Sequence, residues 1–129
     1  MLAYATFGSN DLPRARAFYT ALLADFGITP MFDHPTGGLI FGKNGTLQFC
    51  VIGAFDGQPA TVGNGTMISF AAPDRASVDA IYAHAIALGA TDEGPPGVRG
   101  PDPEGAYYMS YFRDMDGNKL CVFHVRQEE

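Results

Sequence analysis

Tyr4 and Cys121, near opposite ends of the chain, are the side chains best suited to acid and nucleophile chemistry. A thiolate at Cys121 would attack an electrophile or bind a soft metal, whereas a thiol buried among Leu120 and Val122 packs as a small hydrophobe. Strand alternation in LCVFHV puts Cys121 on the side of Phe123 and His124 on the other. The Tyr4 phenol suits donation to a ligand carbonyl or general acid catalysis; its other use is as an aromatic wall with a satisfied hydroxyl. Arg99, in the stretch GPPGVRGPDPEG, is placed to meet an anionic substrate. Tyr107, Tyr108 and Tyr111 would stack on an aromatic ligand or fill the interior, and the sequence leaves open which alternating set faces a site. Arg113, beside Asp114, reads as a turn or ion-pair contact.

The three histidines, His34, His84 and His124, are too scattered to form a three-imidazole site. No strand followed by GxGxxG, no P-loop, no HExxH and no GxSxG occurs, so nucleotide, zincin and hydrolase chemistry have no support.

The elements that must position these residues come in two sets. Leu12, Ala15, Phe18, Tyr19, Leu22, Leu23 and Phe26 recur with a helical period, as do Val78, Ile81, Tyr82, Ala85 and Ile86. Asp11 and Asp74 are N-caps, and Gly27 and Gly89 end helices of about four turns. Strands are expected at Leu2 to Gly8 and Thr66 to Ala71 before the caps, then at about 29 to 33, 38 to 43 and 46 to 52, and at 92 to 98, 106 to 113 and 118 to 126. The stretch 94 to 105 reads as a loop because of its prolines and glycines. Asn44-Gly45 and Asp116-Gly117 both suit two-residue hairpin turns with positive φ.

The order is thus βαβββ twice, and a shift of 63 residues sets Phe7 on Phe70, Asp11 on Asp74, Ala17 on Ala80 and Tyr19 on Tyr82. Positions 1 to 129 form a single domain, with a first module at about 1 to 53, a linker at about 54 to 65 and a second module at about 66 to 126. Alternation turns Phe7 and Phe70 under the helices and leaves Tyr4, Thr6, Met67 and Ser69 on the helix-free face, where a small molecule could be held.

Composition narrows the partners. With 47% hydrophobic and 17% charged residues in 129, the chain can bury a core. A net charge of -6 argues against nucleic acid, whose binding is driven by cations on phosphates. Two cysteines without CxxC spacing read as reduced thiols. No apolar run approaches membrane-spanning length, and MLAYATFGSND lacks a signal-peptide pattern, so a cytoplasmic protein without membrane contact is expected.

The stretches NDLPRARAFYTALLADFGI, GNGTMISFAAPDRASVDAIYAHAIALGAT and YYMSYFRDMDGNKLCVF, with the paired βαβββ order, resemble the vicinal oxygen chelate superfamily, that is, the glyoxalase / bleomycin resistance / extradiol dioxygenase superfamily. The resemblance implies an α+β fold in which two βαβββ modules form a U-shaped, partly closed mixed sheet with the helices outside, often as a homodimer. It also implies, for metal-dependent members, ligands at the positions held here by Tyr4, Met67 and Cys121, with an optional fourth at about Gln48. Catalytic divalent metals want imidazole and carboxylate donors, which this set lacks, so no metal cofactor is expected.

The expected function is therefore binding of a small organic molecule in an apolar, Tyr-rich cleft without metal, with Tyr4, Thr6, Gln48, Met67, Ser69, Arg99, Tyr108, Cys121 and Phe123 as the contacts. The alternative is a glyoxalase-type lyase or isomerase, or a dioxygenase-like enzyme, using a divalent metal or Tyr4 and Cys121. A third reading is a dimeric partner-binding domain with an exposed apolar patch.

Overall fold

A computed structural model describes residues 1–126. The chain divides into two compact units, Met1–Gly65 and Thr66–Glu129. Each is a helix laid on a four-stranded mixed sheet, so the fold is α+β and the βαβββ order occurs twice.

In the first unit, β1 (Ala5–Gly8) leads into α1 (Leu12–Leu23), which a short 3-10 turn (Ala24–Phe26) extends. The Asp11 carboxylate accepts from the Arg14 amide at 3.1 Å and answers one of the free donors of the first turn. Gly27 ends the segment at φ 72°, in the left-handed region that glycine enters freely. Strands β2 (Thr29–Asp33), β3 (Leu39–Lys43) and β4 (Thr46–Ile52) follow, and the sheet order is β1-β4-β3-β2. Strand β1 pairs with β4 in parallel, which the crossover through α1 permits. Phe49 anchors the core: its ring lies 5.8 Å from Phe7 and 4.9 Å from Tyr19 of α1. The helix periodicity is thus spent on Ala15, Phe18, Tyr19, Leu22 and Leu23, all buried. The segment read as a linker does not hang free, because the Asn10 side-chain amide donates to the Ala60 carbonyl and accepts from the Ala60 amide.

In the second unit, β5 (Ile68–Ala71) leads to α2 (Arg75–Ala87), capped by Asp74 accepting from the Ser77 amide at 2.7 Å. Strands β6 (Thr91–Arg99), β7 (Tyr107–Arg113) and β8 (Lys119–Val125) complete a sheet of order β5-β8-β7-β6. Val78, Ile81 and Ala85 of α2 are buried, as are Phe112, Leu120 and Val122 of the sheet, and Tyr82 meets Phe112 edge-on at 6.3 Å. Phe70 is only half-buried, unlike its counterpart Phe7.

Three expectations change. The overlapping readings of 92 to 98 as strand and 94 to 105 as loop are resolved in favour of the strand as far as Arg99, since β6 runs Thr91–Arg99. Pro95 and Pro96 are tolerated there because β6 is an edge strand whose register slips between Asp92 and Gly94 and again between Gly94 and Gly97. The opening strands are shorter than read and leave Tyr4 and Met67 just outside β1 and β5. Asn44-Gly45 does form the turn with positive φ at both residues, but Asp116-Gly117 does not, since only Gly117 is positive.

The second hairpin is instead closed by Asp114. Its buried carboxylate accepts from the amides of Asp116 and Asn118, both at 2.9 Å, and from the Asn118 side chain at 3.0 Å. No helix of the described residues is long and apolar enough to cross a membrane.

Asp114→Ala strips three donors of their acceptor in a buried turn and is expected to lower unfolding stability by about 3 kcal/mol; urea denaturation checks it. The Asp74 cap adds a pH dependence. Bonds from the Ser77 side chain and amide hold this carboxyl below its ordinary value, so its contribution is complete at neutral pH and is lost as acid brings the pH down through the folded value. An Asp74→Ala chain should lack that part of the acid limb in a pH series of melting curves.

Candidate functional site

Strand register decides which side chains share a face. In the second unit Tyr108, Ser110 and Phe112 of β7 stand opposite His124, Val122 and Leu120 of β8, and this set meets α2. The other set therefore points away from the helix: Tyr107 opposite Val125, Met109 opposite Phe123, and Tyr111 opposite Cys121. On the other flank Ser69 stands beside Cys121, and Ala71 beside Phe123, in the parallel pairing of β5 with β8. A row Ser69, Cys121, Tyr111 thus crosses three strands on the helix-free face, with Met109 and Phe123 in the row beside it.

Cys121 is fully buried in the middle of that row. Burial pushes its thiol up from the ordinary value, and the hydrogen bond with Ser69, that with the Ser110 backbone and the charges of Lys119 and Arg99 only partly offset this. The sulfur is accordingly a neutral thiol at pH 7, the opposite of what a nucleophile requires. The first unit repeats the motif: Thr6 stands beside Cys50 across β1 and β4, and Cys50 too is buried with its thiol raised by burial, the Thr6 hydrogen bond opposing. Each module thus carries a hydroxyl and a buried thiol side by side; the 63-residue shift sets Thr6 on Ser69, but Cys50 and Cys121 lie further apart than that shift because the later strands differ in spacing.

Tyr108 does not join this face. Its hydroxyl donates to Asp79 Oδ1 of α2 at 2.6 Å, the Arg75 guanidinium lies 4.9 Å from its ring centroid, and the carboxylate holds the phenol up. The opposite alternating set, Tyr107 and Tyr111, takes its place. Arg99, Gly97 and Gly94 of β6 stand opposite Tyr107, Met109 and Tyr111, so Arg99 does reach the face. Gln48 and Tyr4, both exposed, lie in the first unit, and Met67, 42% exposed, lies just before β5.

The four positions at which the resemblance implies metal ligands hold a phenol, an amide, a thioether and this protonated thiol. A hard divalent cation wants carboxylate and imidazole, so the donors do not fit it. Among the described residues no three His, Cys, Asp or Glu side chains gather in a way that could hold a metal ion. His34 Nδ1 is engaged with Thr36 and His124 Nδ1 with the Ala72 carbonyl.

Sequence reasoning missed one feature, an open depression of about 530 Å³ in the first unit lined by Ser9, Asn10, Thr36, Phe55 and Gln58, among others. Much of its wall comes from the 53–59 segment, whose lack of apolar pattern gave no signal.

The profile of the Glyoxalase/Bleomycin resistance protein/Dioxygenase superfamily matches residues 2–122. The chain belongs to this superfamily. A glyoxalase/bleomycin resistance protein from Albidiferax ferrireducens T118 is 37% identical, with 98% of this chain and 99% of that one covered and a TM-score of 0.85. A lactoylglutathione lyase from Agrobacterium tumefaciens is 25% identical over 95% of this chain and 92% of that one, at a TM-score of 0.65. The fosfomycin resistance protein FosX from Listeria monocytogenes shares the fold at 20% identity and a TM-score of 0.67, over 95% and 91%. No curated protein matches.

Two outcomes follow. Iodoacetamide should label Cys50 and Cys121 at neutral pH roughly tenfold or more slower in the folded than in the urea-unfolded protein, as mass spectrometry would read; equal rates would contradict a buried, protonated thiol. Tyr108→Phe should cost about 1 kcal/mol of stability through the lost Asp79 bond and leave any ligand affinity unchanged, which paired melting and binding curves would show.

Proposed function

We propose that this superfamily member binds a small organic molecule on the helix-free face of its second sheet, without a metal. The observation that carries the reading is the shared register of Ser69, Cys121 and Tyr111 with Met109 and Phe123: apolar and aromatic surface with a few polar groups among it, the usual character of a small-molecule site. The neutral Cys121 thiol, fully buried, packs beneath that surface as a small apolar group. Ser69 supplies a hydroxyl, and Tyr107 and Tyr111 supply flat surface for stacking. Thr6 and Cys50 offer the same pairing in the first module. Homodimer formation and a cytoplasmic setting belong to the same proposal, on the strength of the superfamily resemblance and the composition.

The likeness to the Agrobacterium lactoylglutathione lyase favours a second reading, a lyase or isomerase of the glyoxalase type. That chemistry asks for either a metal or a base, and a dioxygenase-like reaction asks for a metal. The donors at Tyr4, Gln48, Met67 and Cys121 suit none of these, and a raised thiol pKa weakens a Tyr4 and Cys121 pair as acid and nucleophile.

Elemental analysis of the purified, untagged protein separates the two. The binding reading expects metal far below one per chain and no change in melting temperature on addition of nickel, zinc, manganese or ferrous iron. A near-stoichiometric metal, or a concentration-dependent rise in melting temperature with one of them, would favour the enzyme reading, because a ligand that binds only the folded state must stabilise it.

A further inference from the structure

Arg99 and Lys119 both approach the ring of Tyr111, the guanidinium carbon at 5.9 Å and the ammonium nitrogen at 5.4 Å from its centroid. Of the other six cations of this acidic chain, four are answered by carboxylates, Arg14 by Asp11, Arg16 by Asp33, Arg113 by Glu93 and Arg126 by Glu104, while Lys43 and Arg75 stand apart from each other and donate to the Phe26 and Gly105 carbonyls. Among the described residues neither Arg99 nor Lys119 has an ion-pair partner, and the Lys119 ammonium makes no hydrogen bond. Two like charges gathered at one ring repel each other, and in a protein of net charge -6 the shortage of carboxylates is not the reason.

Arg99 is moreover held in place. Its Nη2 donates to the Pro95 carbonyl at 2.6 Å, and the side chain folds back over the glycines of its own strand. A Cβ on Gly97 would sit 2.7 Å from Nη1 and one on Gly94 3.4 Å from Nη2, so both glycines leave room for the guanidinium. The Tyr111 hydroxyl is engaged with Met109 Sδ at 3.2 Å, which fixes the ring between the cations and the apolar part of the face. A guanidinium has five N–H donors and an ammonium three, so most remain available.

We propose that Arg99, Lys119 and Tyr111 form a seat for the negatively charged end of a small organic anion, a carboxylate or phosphonate, whose apolar remainder lies over Met109 and Phe123. The inference rests on the reading of this face as a ligand site and names the class of ligand that the site takes. Charge-assisted bonds from the two cations provide orientation, and the pinned guanidinium lowers the ordering cost on binding.

Calorimetric titration with phenylphosphonate, and with benzyl alcohol as its uncharged counterpart, tests the seat. The expected result is saturable phenylphosphonate binding that weakens at least tenfold in Arg99→Gln and separately in Lys119→Gln, is partly kept in Arg99→Lys, and weakens as sodium chloride is raised. Benzyl alcohol should bind more weakly and equally to all four proteins. If the Gln variants, folded by circular dichroism, bind phenylphosphonate as the parent does, or if the two probes bind the parent alike, the anionic seat is overturned while a ligand face stands. If neither probe gives saturable heat, the seat and the ligand face fail together.

Discussion

The Asp114 carboxylate, buried in the connection between β7 and β8, fixes the register on which everything at the site depends. By gathering the amides of Asp116 and Asn118 it sets five residues, Asp114 to Asn118, between the strands, and so puts Tyr111 opposite Cys121 and Met109 opposite Phe123. A slip of one residue would exchange the faces, bringing Tyr108 and Ser110 to the open side and sending Tyr111 under the helix. The parallel pairing of β5 with β8 then adds Ser69 to the row.

Much of this was legible in the sequence. Helix caps at Asp11 and Asp74, the periodic cores of both helices and the βαβββ order depend on local rules, and the structure follows them. What escaped was governed by pairing. Pro95 and Pro96 argue against a strand until it is known that β6 lies at the sheet edge and carries two register shifts. Asp116-Gly117 has the composition of a tight turn, but the neighbouring Asp114 outcompetes it for the local amides. At the site, Cys121 and Ser69 were placed on one face by alternation alone, whereas Tyr108 was assigned there although its partner is Asp79 on α2, a contact 29 positions away in sequence. Lys119 went unremarked because a lysine beside a turn has an ordinary use, and only the ring it shares with Arg99 distinguishes it.

The chemistry of the face follows from its electrostatics. Burial keeps the Cys121 thiol protonated even with two cations near enough to oppose that, so the positive charge is directed at whatever enters from solvent and not consumed in making a thiolate. A superfamily fold that in the resemblance carries imidazole and carboxylate ligands here presents sulfur, hydroxyl and aromatic groups with cations at one end. On the proposed reading such a surface would select ligands by shape and charge, because its donors do not suit a hard divalent cation.

Amide NMR of the uniformly labelled protein, titrated in the presence of a chelator with a mixed library of carboxylic acids and neutral fragments, would locate the ligand face residue by residue. Shift changes are expected to centre on Ser69, Met109, Tyr111, Cys121 and Phe123, with the chelator without effect. Changes centred on the depression at Ser9, Asn10 and Gln58, or binding that appears only once a divalent metal is restored, would contradict it.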